Sequence, residues 1–428
     1  MHHDIDPNQH GPLGKPMADA VKSCVHCGFC LAACPTYMEQ RQEMDSPRGR
    51  ILLMKEVLEG TLDLEKALPH VDQCLGCLAC EPACPSGVAY RDLISPFRAL
   101  GNEKRDRPLM ESLRRTLVSQ TLPYPDRFRV GTQLGKLGKA FAPLMPKSFK
   151  PMLDLLPDRL PPRQKWKRVN PAQGTKRARV ALLIGCAQQV LDPDINTATI
   201  EGLTHNGVEV IVARDQGCCG ALSWHVGDLP AARKFAQKNL DAFSDEGFDA
   251  IITNAAGCGS GLHEYHLILR GTDQEAEAEA FRHRVMDVTS FLHQLGDLKP
   301  FPDSEETKTI AYHDACHLAN AQGIVNQPRQ LLQRIPGVTV AEVSDPHLCC
   351  GSAGTYNIDQ PEIAASLGQQ KANAILATKP DLIATGNIGC LTQIKTHLAK
   401  KGGGVPILHT IQILRNAWKG RQLLQHHR

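Results

Sequence analysis

Cys24-Val-His-Cys27-Gly-Phe-Cys30-Leu-Ala-Ala-Cys34-Pro35 is followed downstream by Cys74-Leu-Gly-Cys77-Leu-Ala-Cys80-Glu-Pro-Ala-Cys84-Pro85. Both segments match C-x2-C-x2-C-x3-C-P without a deviation, the spacing that holds [4Fe–4S] cubanes. Three cysteines this close wrap a loop around one corner of a cubane. The fourth lies past a turn and points away, so in two-cluster proteins it ligates the other cluster. One cluster is therefore assigned to Cys24, Cys27, Cys30 and Cys84, and the other to Cys74, Cys77, Cys80 and Cys34. Gly28 and Gly76 stand where backbone must pass close to sulfur, and Pro35 and Pro85 end the ligating loops. Structural zinc uses two C-x2-C pairs farther apart, so a third cysteine at this spacing is surplus to it. His26 reads as a spacer or hydrogen-bond donor rather than an iron ligand.

Between the two motifs, SPRGRILLMKEVLEG (46–60) reads as a helix. Ser46 is its N-cap, Pro47 its first residue and Gly60 its stop. With no strand alternation nearby, residues 15–115 read as a small helical domain. Prolines then crowd residues 116–176, including Pro123, Pro125, Pro143, Pro146, Pro151, Pro161 and Pro162. Prolines interrupt helices, so this stretch reads as a linker with short helices. The basic run RQKWKR at 163–168 reads as a solvated face.

The chain has 428 residues, a formal net charge of +3 and sixteen cysteines. Near-neutral charge gives no warrant for nucleic-acid binding. No stretch reaches the ~18–20 apolar residues of a membrane span, and the polar start has no apolar h-region of a secretory signal. The expected location is the reducing cytoplasm, where disulfides are rare and cysteines read as metal ligands.

The remaining eight cysteines form a repeat. Cys186 maps to Cys316, Cys218-Cys219 to Cys349-Cys350, and Cys258 to Cys390. So steady an offset means tandem duplicated domains, here 177–300 and 301–420. VALLIG, VEVIVA and AIITN in the first, and TIAYHD, VTVAEV and DLIAT in the second, read as strands alternating with helices, hence parallel βαβ units. The cysteines then fall beyond the carboxyl ends of the strands, where open α/β sheets place ligands. Helices starting just after Cys219 and Cys258 would lower thiol pKa values, and Gly220 and Gly351 would give a bulky cluster room. All eight are candidate further metal ligands. An additional iron–sulfur centre leads, with zinc or a catalytic thiol pair behind it. His313 and His317 flank Cys316 and read as satisfied core or surface histidines, with donation to the metal ligands as the alternative. There is no P-loop, no G-x-S-x-G and no complete H-E-x-x-H, so no catalytic residue is assigned.

In combination CVHCGFCLAACPTY, SPRGRILLMKEVLEG, CLGCLACEPACPSGV, GCAQ, GCCGA, GCGSGLHEY, HLCCGSAGTY and NIGC resemble the glycolate oxidase iron–sulfur subunit family, from about residue 20 to 415. The resemblance implies an α+β multidomain chain: an N-terminal α-helical ferredoxin domain with two [4Fe–4S] clusters, then two tandem α/β cysteine-rich (CCG) domains. It also implies partner subunits that carry FAD and oxidise glycolate to glyoxylate. Electrons would leave for quinone or another acceptor, in a complex peripheral to the inner face of the cytoplasmic membrane. Lactate and glycerol-3-phosphate dehydrogenase subunits share the architecture, and a heterodisulfide-reductase-like enzyme is the third reading. Where that wider superfamily continues the last cysteine as C-x-x-C, this chain has Gly261 and Gln393. Four cysteines per copy remain.

Overall fold

The computed structural model describes residues 2–138, 150–157, 159–244, 247–345 and 348–423. Pro143 and Pro146 of the expected linker lie outside them. The N-terminal region is helical among the described residues, as its sequence implied. Ser46 caps the helix Pro47–Leu58 by accepting the Gly49 N–H at 2.9 Å, and Gly60 turns the chain away at φ 75°. This helix packs with Gly14–Lys22, Leu64–Asp72 and Arg91–Lys104 around Met17, Val21, Met54, Val71, Leu93 and Phe97, all fully buried.

The stretch expected as a linker contains more helix than its prolines suggested. Leu109–Thr121 and Pro125–Gly138 run 13 and 14 residues. Within this stretch, Pro125 falls at a helix start, where a missing N–H costs nothing. The basic run is mostly exposed, but Trp166 is anchored, its indole N–H donating to Thr197 Oγ1 at 2.9 Å. Just beyond it, strand β1 (Val169–Asn170) pairs antiparallel with Val210 and Ile211.

The two repeats form two sheets of one design. In the first, β2 (Ala178–Leu182), β3 (Val208–Ile211), β4 (Ala250–Thr253) and β5 (Val285–Asp287) are parallel, and with β1 the order is β1-β3-β2-β4-β5. In the second, β6 (Lys308–His313), β7 (Val338–Glu342), β8 (Leu382–Thr385) and β9 (Ile407–His409) are parallel in the order β7-β6-β8-β9. Strand order therefore matches between copies, and reverses beside the first strand of each. The six strands read from the sequence are present. Short β1, β5 and β9 were not foreseen, being only two or three residues long.

The copies are related by approximate twofold packing. The second helix after the opening strand of one copy meets the last helix of the other: Asp194–His205 against Thr410–Trp418, and Asn326–Gln333 against Val288–Leu295. Arg415, fully buried, joins Asp194 at 2.8 Å and Glu201 at 3.1 Å across this seam. One apolar core, from Val180 and Ile195 to Leu408 and Trp418, is common to both sheets. The packing also turns both cysteine edges toward the N-terminal helices.

Candidate metal centres

The two N-terminal loops share an unusual backbone. His26 and Gly28 have φ 56° and 84°, and Gly76 and Leu78, the equivalent positions, have φ 64° and 58°. Left-handed residues turn successive N–H groups to one side and form the nests that hold anions such as iron–sulfur clusters. Gly76 N–H accordingly donates to Cys74 Sγ at 3.3 Å.

Cys24, Cys27, Cys30 and Cys84 line one cavity, with Cys80 also in its wall. Burial pushes the Cys30 thiol up to about 11, and Cys24 and Cys84 add to the push. Cys27 is exposed, flanked by the exposed apolar side chains of Val25 and Phe29. This thiol set therefore faces solvent.

The other set is enclosed. Burial raises Cys80 well above the usual thiol range, with Cys77, Cys74 and Cys34 contributing as close neighbours. Cys74 departs from this pattern. Burial pushes it up, but Arg50, Arg98, the Gly76 N–H and the Tyr90 hydroxyl outweigh burial and leave it below its ordinary value. Arg50 is fully buried, donates to His70 O at 2.6 Å and Thr36 Oγ1 at 3.1 Å, and stands 3.9 Å from Cys34 Sγ. Four thiols held by nest-forming backbone and a buried cation fit an anionic cubane. Each crossed grouping read from the sequence is thus a spatial cluster.

In the repeats all four cysteines of each copy also come together. Cys186 and Cys218 Sγ atoms are 3.5 Å apart, and Cys218, Cys219 and Cys258 continue the contact. Cys316, Cys349, Cys350 and Cys390 repeat it. The helix expectation holds at Cys219, where Ala221–His225 begins two residues on, but needs correction at Cys258. Cys258 and Cys390 lie inside the first turn of Ala256–His263 and Ile388–Lys400, and Cys316 begins its own helix. Nor is Cys219 acidified: Cys218 pulls its thiol down, but Cys258 and burial push it well up. The hydrogen bond with Cys218, then burial, pushes Cys186 well up, and Cys349 and burial do the same to Cys316. Crowded thiols in a dry interior outweigh helix dipoles. Four converging sulfurs per copy suit a thiophilic metal or cluster, which holds them as thiolates.

Gly351 serves a different purpose from the one expected. At φ 82°, a Cβ there would stand 2.4 Å from the Ala364 carbonyl oxygen, so the glycine admits a neighbouring helix rather than a cluster. His313 also departs from expectation: it is buried with neither ring nitrogen hydrogen-bonded. His317 instead reaches the enclosed N-terminal loop, its Nε2 lying 3.0 Å from Gly76 O.

The sequence left invisible how the domains meet. Asn320 donates to Cys77 O at 3.0 Å and Tyr356 to Gln73 O at 3.0 Å, docking the enclosed loop onto the second copy. Cys77 consequently feels Cys316, after burial, as its strongest thiol neighbour, and Cys349 feels Cys77. Arg98 ties the same helical region to the first copy through His225 O at 3.0 Å.

Comparison with known proteins follows this division. Residues 20–88 match a 4Fe-4S dicluster domain, and 180–263 and 310–395 each match a cysteine-rich domain. The glycolate oxidase iron–sulfur subunit of Escherichia coli (strain K12) is 38% identical over 94% of this chain and 95% of its own. The probable glycolate oxidase iron–sulfur subunit of Bacillus subtilis (strain 168) is 36% identical over 92% and 93%. A fumarate reductase (CoM/CoB) subunit from Methanothermobacter marburgensis is 27% identical over 93% and 72%. A solved structure of a hypothetical protein from Helicobacter pylori superimposes with a TM-score of 0.52, covering 87% of this chain and 68% of that one. At 9% identity that likeness concerns the fold alone.

Proposed function

The chain belongs to the family of glycolate oxidase iron–sulfur subunits, and we propose that it conducts electrons from a flavin-bearing partner that oxidises glycolate to glyoxylate toward a quinone-type acceptor. It is an iron–sulfur electron-transfer subunit. Iron–sulfur centres supply one-electron chemistry, which complements the two-electron hydride chemistry of a flavin. Cys24, Cys27, Cys30 and Cys84 would hold the solvent-facing cluster, and Cys74, Cys77, Cys80 and Cys34 the enclosed one. The eight cysteines of the repeats would hold further iron.

The observation that carries this reading is that Cys77 and Cys349 share one buried cluster against which Cys316 packs, close enough for the thiols to act on one another through charge. It makes the thiol sets contiguous, from an exposed edge at Cys27 to the interior of the second copy. Val25 and Phe29 give that edge an apolar rim on which a redox partner can dock. Arg50 and Arg98 hold positive charge beside the enclosed set and favour its accepting an electron. Among the described residues no helix is long and apolar enough to cross a membrane. Cytoplasmic placement, peripheral to the inner face of the membrane through the complex, accords with that.

Purification with the partner subunits, followed by turnover of glycolate, D-lactate and glycerol 3-phosphate, tests the substrate. Preference for D-lactate or glycerol 3-phosphate would refute the glycolate reading. The close thiol pairs of the repeats, with Cys186 and Cys218 Sγ 3.5 Å apart, favour a second reading, in which the repeats act on a disulfide substrate. Heterodisulfide reduction by this chain with a reduced donor, abolished by Cys218→Ala or Cys349→Ala, would establish it instead.

A further inference from the structure

The two copies carry the same four thiols but differ at the end of the opening strand. In the second copy this position is His313, the last residue of β6. A step back by the offset that relates Cys316 to Cys186 gives Leu183, buried and apolar. A buried imidazole needs partners for one N–H and one lone pair. His313 is 1% exposed, and neither nitrogen has a hydrogen-bond partner. Its neighbours are instead sulfur: a ring nitrogen of His313 and the Sγ atoms of Cys350 and Cys390 all lie within 4.8 Å of one another. The nearby cation Lys371 is engaged elsewhere, donating to Asp345 O at 2.9 Å.

We propose that His313 is a fifth donor to the metal centre of the second copy, which thereby becomes a mixed imidazole–thiolate iron–sulfur centre unlike that of the first. This rests on the reading that the repeat cysteines hold iron. The donor number argues for a polynuclear centre, since a structural zinc ion is satisfied by four ligands, whereas Cys316, Cys349, Cys350, Cys390 and His313 make five. Imidazole carries no charge when neutral, so an iron it ligates is easier to reduce than one bound only by thiolate. Duplication would then have produced two centres of different potential from one scaffold, with a single side chain making the difference.

The full chain, produced anaerobically with 15N-labelled histidine, provides the test, read by iron content, pulsed EPR and redox titration. The wild-type chain should show a strongly coupled histidine nitrogen on one centre. His313→Leu, which installs the residue of the first copy, should abolish that coupling and leave the N-terminal cluster signals in place. His313→Cys should keep the centre, lose the nitrogen coupling and lower the potential. A wild-type chain without the coupling, or a coupling that survives His313→Leu, overturns the assignment. If iron still falls in Cys350→Ser, the thiol reading stands without His313. Iron unchanged in Cys350→Ser, or zinc in the second copy, overturns the thiol reading and His313 with it.

Discussion

Arg50 is a buried cation beside the enclosed N-terminal thiols, and replacing it tests whether protein charge sets the potential there. Its Nη1 lies 3.9 Å from Cys34 Sγ. At this separation two unit charges interact by about 4 kcal/mol at an effective dielectric near 20. An added electron spreads over the cluster rather than residing on one sulfur, so roughly half of that, ~2 kcal/mol, is the working figure. With ~1.4 kcal/mol corresponding to ~59 mV for one electron, Arg50→Gln should lower the potential by roughly 80 mV. Arg50→Lys should keep most of the charge effect. The assay is an anaerobic redox titration of the full chain followed by EPR, with iron content measured in parallel. Only one N-terminal cluster should respond, because the other faces solvent, where charge is screened. Unchanged potentials in Arg50→Gln at full iron content would refute the electrostatic reasoning. So would an equal shift of both clusters.

Other expectations follow from particular contacts. Cys84→Ala should remove the EPR signal of the cluster more open to chelators, and Cys34→Ala that of the enclosed one; the reverse pattern would refute the crossed ligand sets. Arg415→Met deprives buried Asp194 of its guanidinium partner and should cost about 3–5 kcal/mol in denaturant unfolding. Ser46→Ala removes a helix cap and should cost about 1 kcal/mol, seen as a lower Tm. Burial pushes the Glu264 carboxyl up to about 7 from an ordinary 4.5, against the pull of Arg91 and the Trp224 indole N–H. A carboxyl raised on folding stabilises below its unfolded value, and that stability is lost as pH rises through the folded value. Glu264→Gln should therefore match wild type below about pH 4.5 and exceed it above about pH 7, by up to ~3 kcal/mol in urea unfolding. A pH-independent difference would refute this.

Much of the molecule was written in local sequence. Both cysteine motifs specify their chemistry because iron–sulfur ligation depends on short, fixed spacings along the chain. Ser46, Pro47 and Gly60 mark a helix by the hydrogen-bonding and φ preferences of single residues. Six strands and their duplication were legible because β-branched runs and cysteine offsets repeat in register. The motif led to the expectation that Cys34 and Cys84 cross between the sets, and the structure brings each beside the expected thiols.

Tertiary structure alone decided what depends on residues distant in sequence. Nothing around Cys77 announces that it packs in one cluster with Cys349 and Cys316, because the docking rests on Asn320, Tyr356 and His317 grasping backbone oxygens that every residue possesses. Pro125 looked like a helix breaker until its position at a helix start was known. Cys219 looked acidified by a helix terminus, but desolvation and thiol crowding, which are properties of the assembled interior, prevail. His313 looked like an ordinary core histidine, since a sequence cannot show whether a ring nitrogen has found a partner. The sequence by itself determined which residues could bind metal. Only the packing decided how the thiol sets adjoin, which set faces solvent, and which histidine is left beside sulfur, because each is a long-range matter of burial and distance.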